Sequence, residues 1–235
     1  MIVLCATFAI SMITLMSGFG IGTVLTPTFA LFFDVKTAIF LVALVHIFNN
    51  FLKFSLFARH VNQSIFLRFG LLSLMGAIAG SLLQGKVDPS LLKVFLGLFL
   101  VTIGILEFTP QRTWKFPQQF DVVGGFLSGL MGGLIGNQGA IRSAYLLNYD
   151  LSKEAFIATA TAISIVIDLS RIPIYVIQQS AMLEGATLEL LLVIGVAFAG
   201  TLVGKQVLKK VSLEQFRLMI AIMLIIVGIG FLFPI

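Results

Sequence analysis

The sequence predicts an all-α polytopic integral membrane protein of about eight membrane elements in two pseudo-repeats, with the first element of each half broken or re-entrant. Three observations carry that prediction. Of the 235 residues, 59% are hydrophobic and only 11% are charged, whereas a soluble domain carries about a quarter charged residues. Mean hydropathy is +1.10. The apolar residues fall into runs near the roughly 20-residue length that spans a bilayer as a helix. Those runs come as four, a polar segment, and four more in the same order.

Met1–Phe33 is uncharged and too long for one untilted helix, and SGFGIGTVLTP (17–27) is expected to break it. A second element runs from Lys36 to Phe57, and a third from Ser64 to Gln84. The fourth is Ser90–Phe108, where Asp88-Pro89-Ser90 is a helix-start signal. Residues 1–108 thus make a first repeat. TPQRTWKFPQQFD (109–121) is the longest polar segment and reads as the linker. Residues 122–235 repeat the plan: a glycine-broken run over Val122–Asn148, then Lys153–Gln178, Ala186–Val207, the basic loop LKKVSLEQ, and Leu213–Phe233. Pro173 permits a kink in the second of these.

Charge excludes several function classes. Net charge is +5, yet the Lys and Arg residues sit in short loops between apolar runs, so they read as topology signals rather than a nucleic-acid surface. If every element crosses once, they place both termini outside the cell membrane, with Arg59, Arg68, Arg112 and Lys115 on the outer side. Alternatively the broken first elements are re-entrant hairpins of two half-helices, so that each half crosses three times and the repeats are inverted. The N-terminus lacks a basic region and a small-residue cleavage site, so no cleaved signal peptide is expected. One Cys and two separated His residues give no zinc site. Gly-x-Gly-x-Gly at 18–22 lacks the strand–helix context of a dinucleotide fold. No enzyme signature and no cofactor are expected.

Polar residues inside the apolar runs mark a pathway. His46, Asn49, Asn50 and Lys53 recur at i, i+3, i+4 and i+7, one helical face. Thr161, Ser164, Asp168 and Arg171 lie on one face of the corresponding element in the second half. A shift of 118 residues lays Asn50 on Asp168 and Lys53 on Arg171. Asp168 and Arg171 form a structural ion pair, or else Asp168 binds a coupling proton or holds Arg142 in the empty site. His46 either relays protons near neutral pH or packs as a hydrogen-bonded core residue. Lys53 and Arg68 are close enough to helix ends to snorkel.

The chemistry concentrates in SGLMGGLIGNQGAIRSAYLL (128–147). Its glycines disfavour a continuous helix, at about 1 kcal/mol each relative to alanine. Arg142 at bilayer depth is costly and is expected to face protein or a water-filled cavity. Half-helix N-termini expose backbone N–H groups that attract anions. Arg142, Gly136, Asn137, Gln138, Gly139 and Ser143 therefore form a candidate oxyanion clamp. Gly20, Gly22 and Thr23 in the first break are its candidate counterpart. The alternative is that these glycines serve only close helix packing.

The paired glycine-rich runs, Gly18-Phe19-Gly20-Ile21-Gly22-Thr23-Val24-Leu25-Thr26-Pro27 and Gly136-Asn137-Gln138-Gly139-Ala140-Ile141-Arg142-Ser143, resemble those of the sulfite exporter TauE/SafE family of membrane permeases. The second run departs from the pattern by lacking the proline and by adding three polar side chains. The resemblance implies a secondary carrier in the cell membrane. It would move a small anion (sulfite, an organosulfonate, a related oxyanion or a carboxylate) by alternating access, with a proton or sodium as coupling ion. A passive anion channel is the rival reading, and a non-transporting scaffold is disfavoured by the lack of a long soluble loop.

Overall fold

The computed structural model describes residues 2–17, 20–108, 120–179, 187–207 and 213–233. Gly18 and Phe19 of the first glycine run, most of the 109–121 linker and the start of the LKKVSLEQ loop lie outside them. Among the described residues the chain is almost entirely helical. The first half comprises α1 (Ile2–Ser17), α2 (Ile21–Phe29), α3 (Val35–Phe57), then α4 (Gln63–Ile65) and α5 (Leu71–Lys86) joined through a π turn at Phe66–Gly70, and α6 (Pro89–Leu106). The second comprises α7 (Asp121–Ile135), α8 (Gly139–Leu146), α9 (Lys153–Gln178), α10 (Thr187–Val207) and α11 (Leu213–Leu232).

Local sequence explains the helix starts. The side chains of Asp34, Asn62, Asp88 and Ser152 each accept a bond from a first-turn amide, at 3.0 Å from Lys36 N, 3.1 Å from Ile65 N, 2.8 Å from Ser90 N and 3.2 Å from Ala155 N. Such caps satisfy N–H groups that have no partner within the helix. Helices α2 and α8 begin differently: neither has a side-chain cap.

The surface is apolar and much of the polarity is inside. Leu71, Met75, Ile78 and Leu82 form an exposed stripe along α5, while Asn49, Gln84, Asn137, Asp168 and Arg171 are fully buried. That distribution suits a lipid environment, where polar groups face the protein interior. Val35–His60, Gln63–Lys86, Pro89–Leu106 and Lys153–Gln178 are long and apolar enough to cross a membrane; Val3–Met12, Asp121–Ile135, Leu190–Gly204 and Ile220–Leu232 are shorter apolar helices.

Two sequence expectations need correction. The breaks are much narrower than the glycine runs. Helix α2 starts at Ile21 and continues through Gly22 and Pro27, and α7 continues through Gly124, Gly125, Gly129, Gly132 and Gly133 to Ile135. Most of these glycines serve close packing. A β-carbon on Gly129 would lie 1.9 Å from the Ser73 carbonyl oxygen, and one on Gly133 2.3 Å from that of Ala77. The α5 side reciprocates, with Gly76 and Gly80 against the Phe126 and Leu130 carbonyls. Gly200 and Gly204 of α10 meet the Phe8 and Met12 carbonyls of α1 in the same way. Helix propensity is overridden because small residues let backbones approach.

Elements of the two halves interleave. Helix α1 packs on α10, α7 on α5, α3 on α9 and α6 on α11. The α7–α8 pair folds back on itself. The Tyr149 hydroxyl, just past α8, donates to the Asp121 carboxylate at the start of α7, and the Tyr145 ring lies against Gly124. Burial and the Asp121 carboxylate both raise the Tyr149 phenol above its ordinary range. Helix α7 has 15 residues, roughly 22 Å of rise, shorter than a hydrocarbon core about 30 Å thick.

Candidate functional site

Both breaks turn on a glycine that no other residue replaces without strain. Gly136 ends α7 with φ +76° and ψ 6°; its N–H bonds the Gly132 carbonyl at 3.1 Å, and the Asn137 N–H bonds that of Met131 at 3.3 Å. The bond from the Gly136 N–H makes this an αL ending, in the left-handed region that favours glycine. Gly20 precedes α2 with φ +76° and ψ 153°, a region near the one that only glycine occupies readily.

The two breaks touch each other. A β-carbon on Gly22 would lie 2.9 Å from the Gly136 carbonyl oxygen, and one on Gly136 would lie 3.0 Å from Thr26 Oγ1. Helices α3 and α9 supply the surrounding side chains. On Gly20, a β-carbon would face His46 Nε2 at 3.4 Å and Arg142 Nη2 at 3.7 Å. One residue of the first break therefore sits beside a ring from α3 and a guanidinium from α8.

A dense polar network backs this point. His46 Nδ1 lies 2.6 Å from Asp168 Oδ2. Arg171 donates from Nε to Asp168 Oδ1 at 3.0 Å, with Nη2 2.8 Å from the same oxygen. Asn50 Nδ2 reaches Asp168 Oδ2 at 3.4 Å, and Gln138 Nε2 reaches Oδ1 at 3.3 Å. Arg171 Nη1 donates to the Gly132 carbonyl at 2.5 Å, and the Tyr175 hydroxyl to that of Gly133. Those carbonyls belong to the last turn of α7, the end where a cation is favoured. Asp168 is thus engaged directly by Arg171 and His46, and reaches Arg142 only through space.

Arg142 stands apart from that pairing. It is 3% exposed, and Nη1 donates to Ser164 Oγ at 2.5 Å, which in turn donates to the Ala160 carbonyl at 2.9 Å. No carboxylate pairs with it among the described residues, and its Nε finds no protein acceptor. It also lies in the first turn of α8, where the helix dipole disfavours a cation. Lys53 deepens the imbalance. Its side chain is 6% exposed, within electrostatic reach of Arg142, and has no ion-pair partner among the described residues. Lys53 is buried on α3 rather than reaching the surface as the snorkelling expectation had it; Arg68 is exposed on the π turn.

The structure gathers His46, Asn50, Gln138, Asp168 and Arg171 into one network, with Arg142, Ser164, Gly20, Gly22 and Gly136 beside it. Asn137 is fully buried in the second break with both ends of its amide unpartnered, as is Gln138 Oε1. Gly139 opens α8, Ser143 and Thr23 are buried within α8 and α2, and Thr161 is buried in the interior of α9. Asn49 goes elsewhere: it accepts from Thr201 Oγ1 of α10 at 2.7 Å, because successive residues are about 100° apart around a helix. The sequence reading missed Tyr175 and undervalued Lys53. Their signal was spacing, since Tyr175 is i+7 from Asp168 and Lys53 is i+7 from His46.

A buried cation with no carboxylate bonded to it among the described residues, flanked by two uncapped helix starts, can hold an anion. The family model described as sulfite exporter TauE/SafE matches residues 3–231. No curated protein and no solved structure matches the chain. With the match running over nearly the whole length, the chain belongs to the sulfite exporter TauE/SafE family.

Proposed function

We propose that the protein is a secondary transporter that binds a small oxyanion between the tips of its two broken elements and carries it across the cell membrane by alternating access. The family is one of membrane transporters, and the apolar helices fit a multi-pass protein. The observation that carries the site is Arg142, buried without a carboxylate where Gly20 and the start of α8 converge. A guanidinium offers a planar donor fork suited to sulfonate, sulfite or carboxylate oxygens. The amides opening α2 and α8 and the side chains of Asn137, Gln138, Ser143 and Thr23 complete the clamp.

Two inverted repeats, 1–108 and 122–235, account for the interleaved packing. Each is a hairpin (α1–α2, α7–α8) followed by three crossings. Asn50, which a shift of 118 residues matches to Asp168, also touches it, as expected of equivalent positions beside a pseudo-twofold axis. Lys36 Nζ bonds the Gly85 carbonyl at 3.3 Å, and Gln178 Nε2 that of Ser81 at 3.2 Å, so these ends share one side. Counting crossings then puts Arg59, Arg68 and Lys153 on the other.

Counterflow from proteoliposomes tests the reading. Thiosulfate and ethanesulfonate are expected to exchange saturably in the wild type, and Arg142→Ala to lose apparent affinity by about 100-fold, as when a charge-assisted bond of roughly 3 kcal/mol is removed. Unchanged affinity in the variant would sink the clamp. Non-saturating flux would favour a channel.

A further inference from the structure

Resting on that anion site, we propose that His46 is its proton carrier: Nε2 takes up one proton as the anion binds, so that proton and anion occupy the same state and cross together.

Geometry fixes which nitrogen is available. The 2.6 Å contact between Nδ1 and Asp168 Oδ2 requires a proton between them. Asp168 also accepts from Arg171, Gln138 and Asn50, so it acts as an ionised acceptor and the proton belongs to Nδ1. Asn50 Nδ2 at 3.0 Å and Gln138 Nε2 at 3.4 Å also approach Nδ1; both are donors, and with Nδ1 protonated they serve the carboxylate. The tautomer is thereby set by the partner of one ring nitrogen. The other nitrogen, Nε2, carries a lone pair in the neutral ring. It faces Gly20, on the same side as Arg142 Nη2. Asn50 Nδ2, 3.4 Å away, can donate to that lone pair while the ring is neutral and turn wholly to Asp168 once the ring is charged.

The charges around the ring give the sign of the coupling. Asp168 and Arg171 face it from α9, Arg142 from α8, and Lys53 lies two turns along α3 itself. Helix α2 contributes no titratable residue, and neither do the described side chains of α10. Lys93 of α6 is turned toward the Phe231 ring. Asp168 favours a charged ring and Arg171 offsets part of that, while Arg142 opposes a further positive charge as long as the site is empty. An anion beside Arg142 removes that opposition and gains a donor at Nε2–H. Each ligand raises the affinity of the other, and the coupling is reciprocal.

The test uses the purified full-length wild type with thiosulfate and ethanesulfonate, whose own charges are constant between about pH 5 and 8, where a histidine titrates. Calorimetry in buffers of different ionisation enthalpy counts protons. Uptake approaching one proton per anion at the alkaline end of that range, with affinity falling toward tenfold per pH unit there, supports the proposal. In His46→Gln, binding is expected to be weaker and flat with pH, with no proton uptake. Anion binding by the wild type without proton uptake overturns the assignment, and this measurement stands even if the variant does not fold. Uptake persisting in His46→Gln also overturns it. Failure of the underlying site looks different: no anion binding at any pH, or Arg142→Ala binding like the wild type.

Discussion

Asp168 is the residue on which the buried charge balance depends. Removing one partner of a buried ion pair leaves the other charge unpaired, at a cost of about 3–5 kcal/mol. Asp168→Asn is therefore expected to lower thermal stability sharply in detergent, since it leaves Arg171 without its carboxylate and His46 without its Nδ1 acceptor. Asp168→Asn combined with Arg171→Met should recover part of that loss; a double variant no more stable than the single one would refute a pairing role. Lys53→Met makes the contrasting case. No carboxylate among the described residues pairs with Lys53, so it should fold at least as well as the wild type while binding thiosulfate more weakly.

At the scale of elements, glycine had two meanings that the sequence did not separate. Packing glycines and break glycines look alike in a string of letters, because the difference lies in what faces the missing side chain. Gly129 meets the Ser73 carbonyl, whereas Gly195 of α10 meets nothing within 4 Å. Gly129→Ala is expected to force α7 from α5 and to cost about 1–3 kcal/mol or more, while Gly195→Ala should be neutral or slightly stabilising through helix propensity; thermal unfolding of the two variants checks this. The long elements were legible from hydropathy, and the capped start at Asp88 from a single residue. The stripe of α3 was legible as a set, but Asn49 fell to another neighbour because a helix face is wider than one contact. The hairpin return of α7–α8 was legible only as one of two alternatives, since the Tyr149–Asp121 bond that closes it joins residues 28 apart without any local pattern.

For the whole molecule, interleaving means that neither half completes its own packing. The partner of α1 is α10, and that of α7 is α5. Segments 1–108 and 120–235 expressed separately are expected to be unstable and unable to bind thiosulfate. Co-expressed as two chains, they should co-purify and recover binding, which affinity-tag pull-down with a thermal-shift assay would report. Recovery of a stable, binding-competent single half would contradict both the interleaved packing and the placement of the site between the halves.

The meeting of Gly22 with the Gly136 carbonyl has a mechanical meaning. With backbone against backbone, there is no side chain to bend and little room to slide, so this contact suits a fulcrum better than a gate. If the two hairpins rock about it, each opening of one face is geared to closure of the other. A methyl group at position 22 would then act as grit in the bearing: Gly22→Ala should slow exchange more than it weakens equilibrium binding. Transport would fail by seizing rather than by letting go of its cargo.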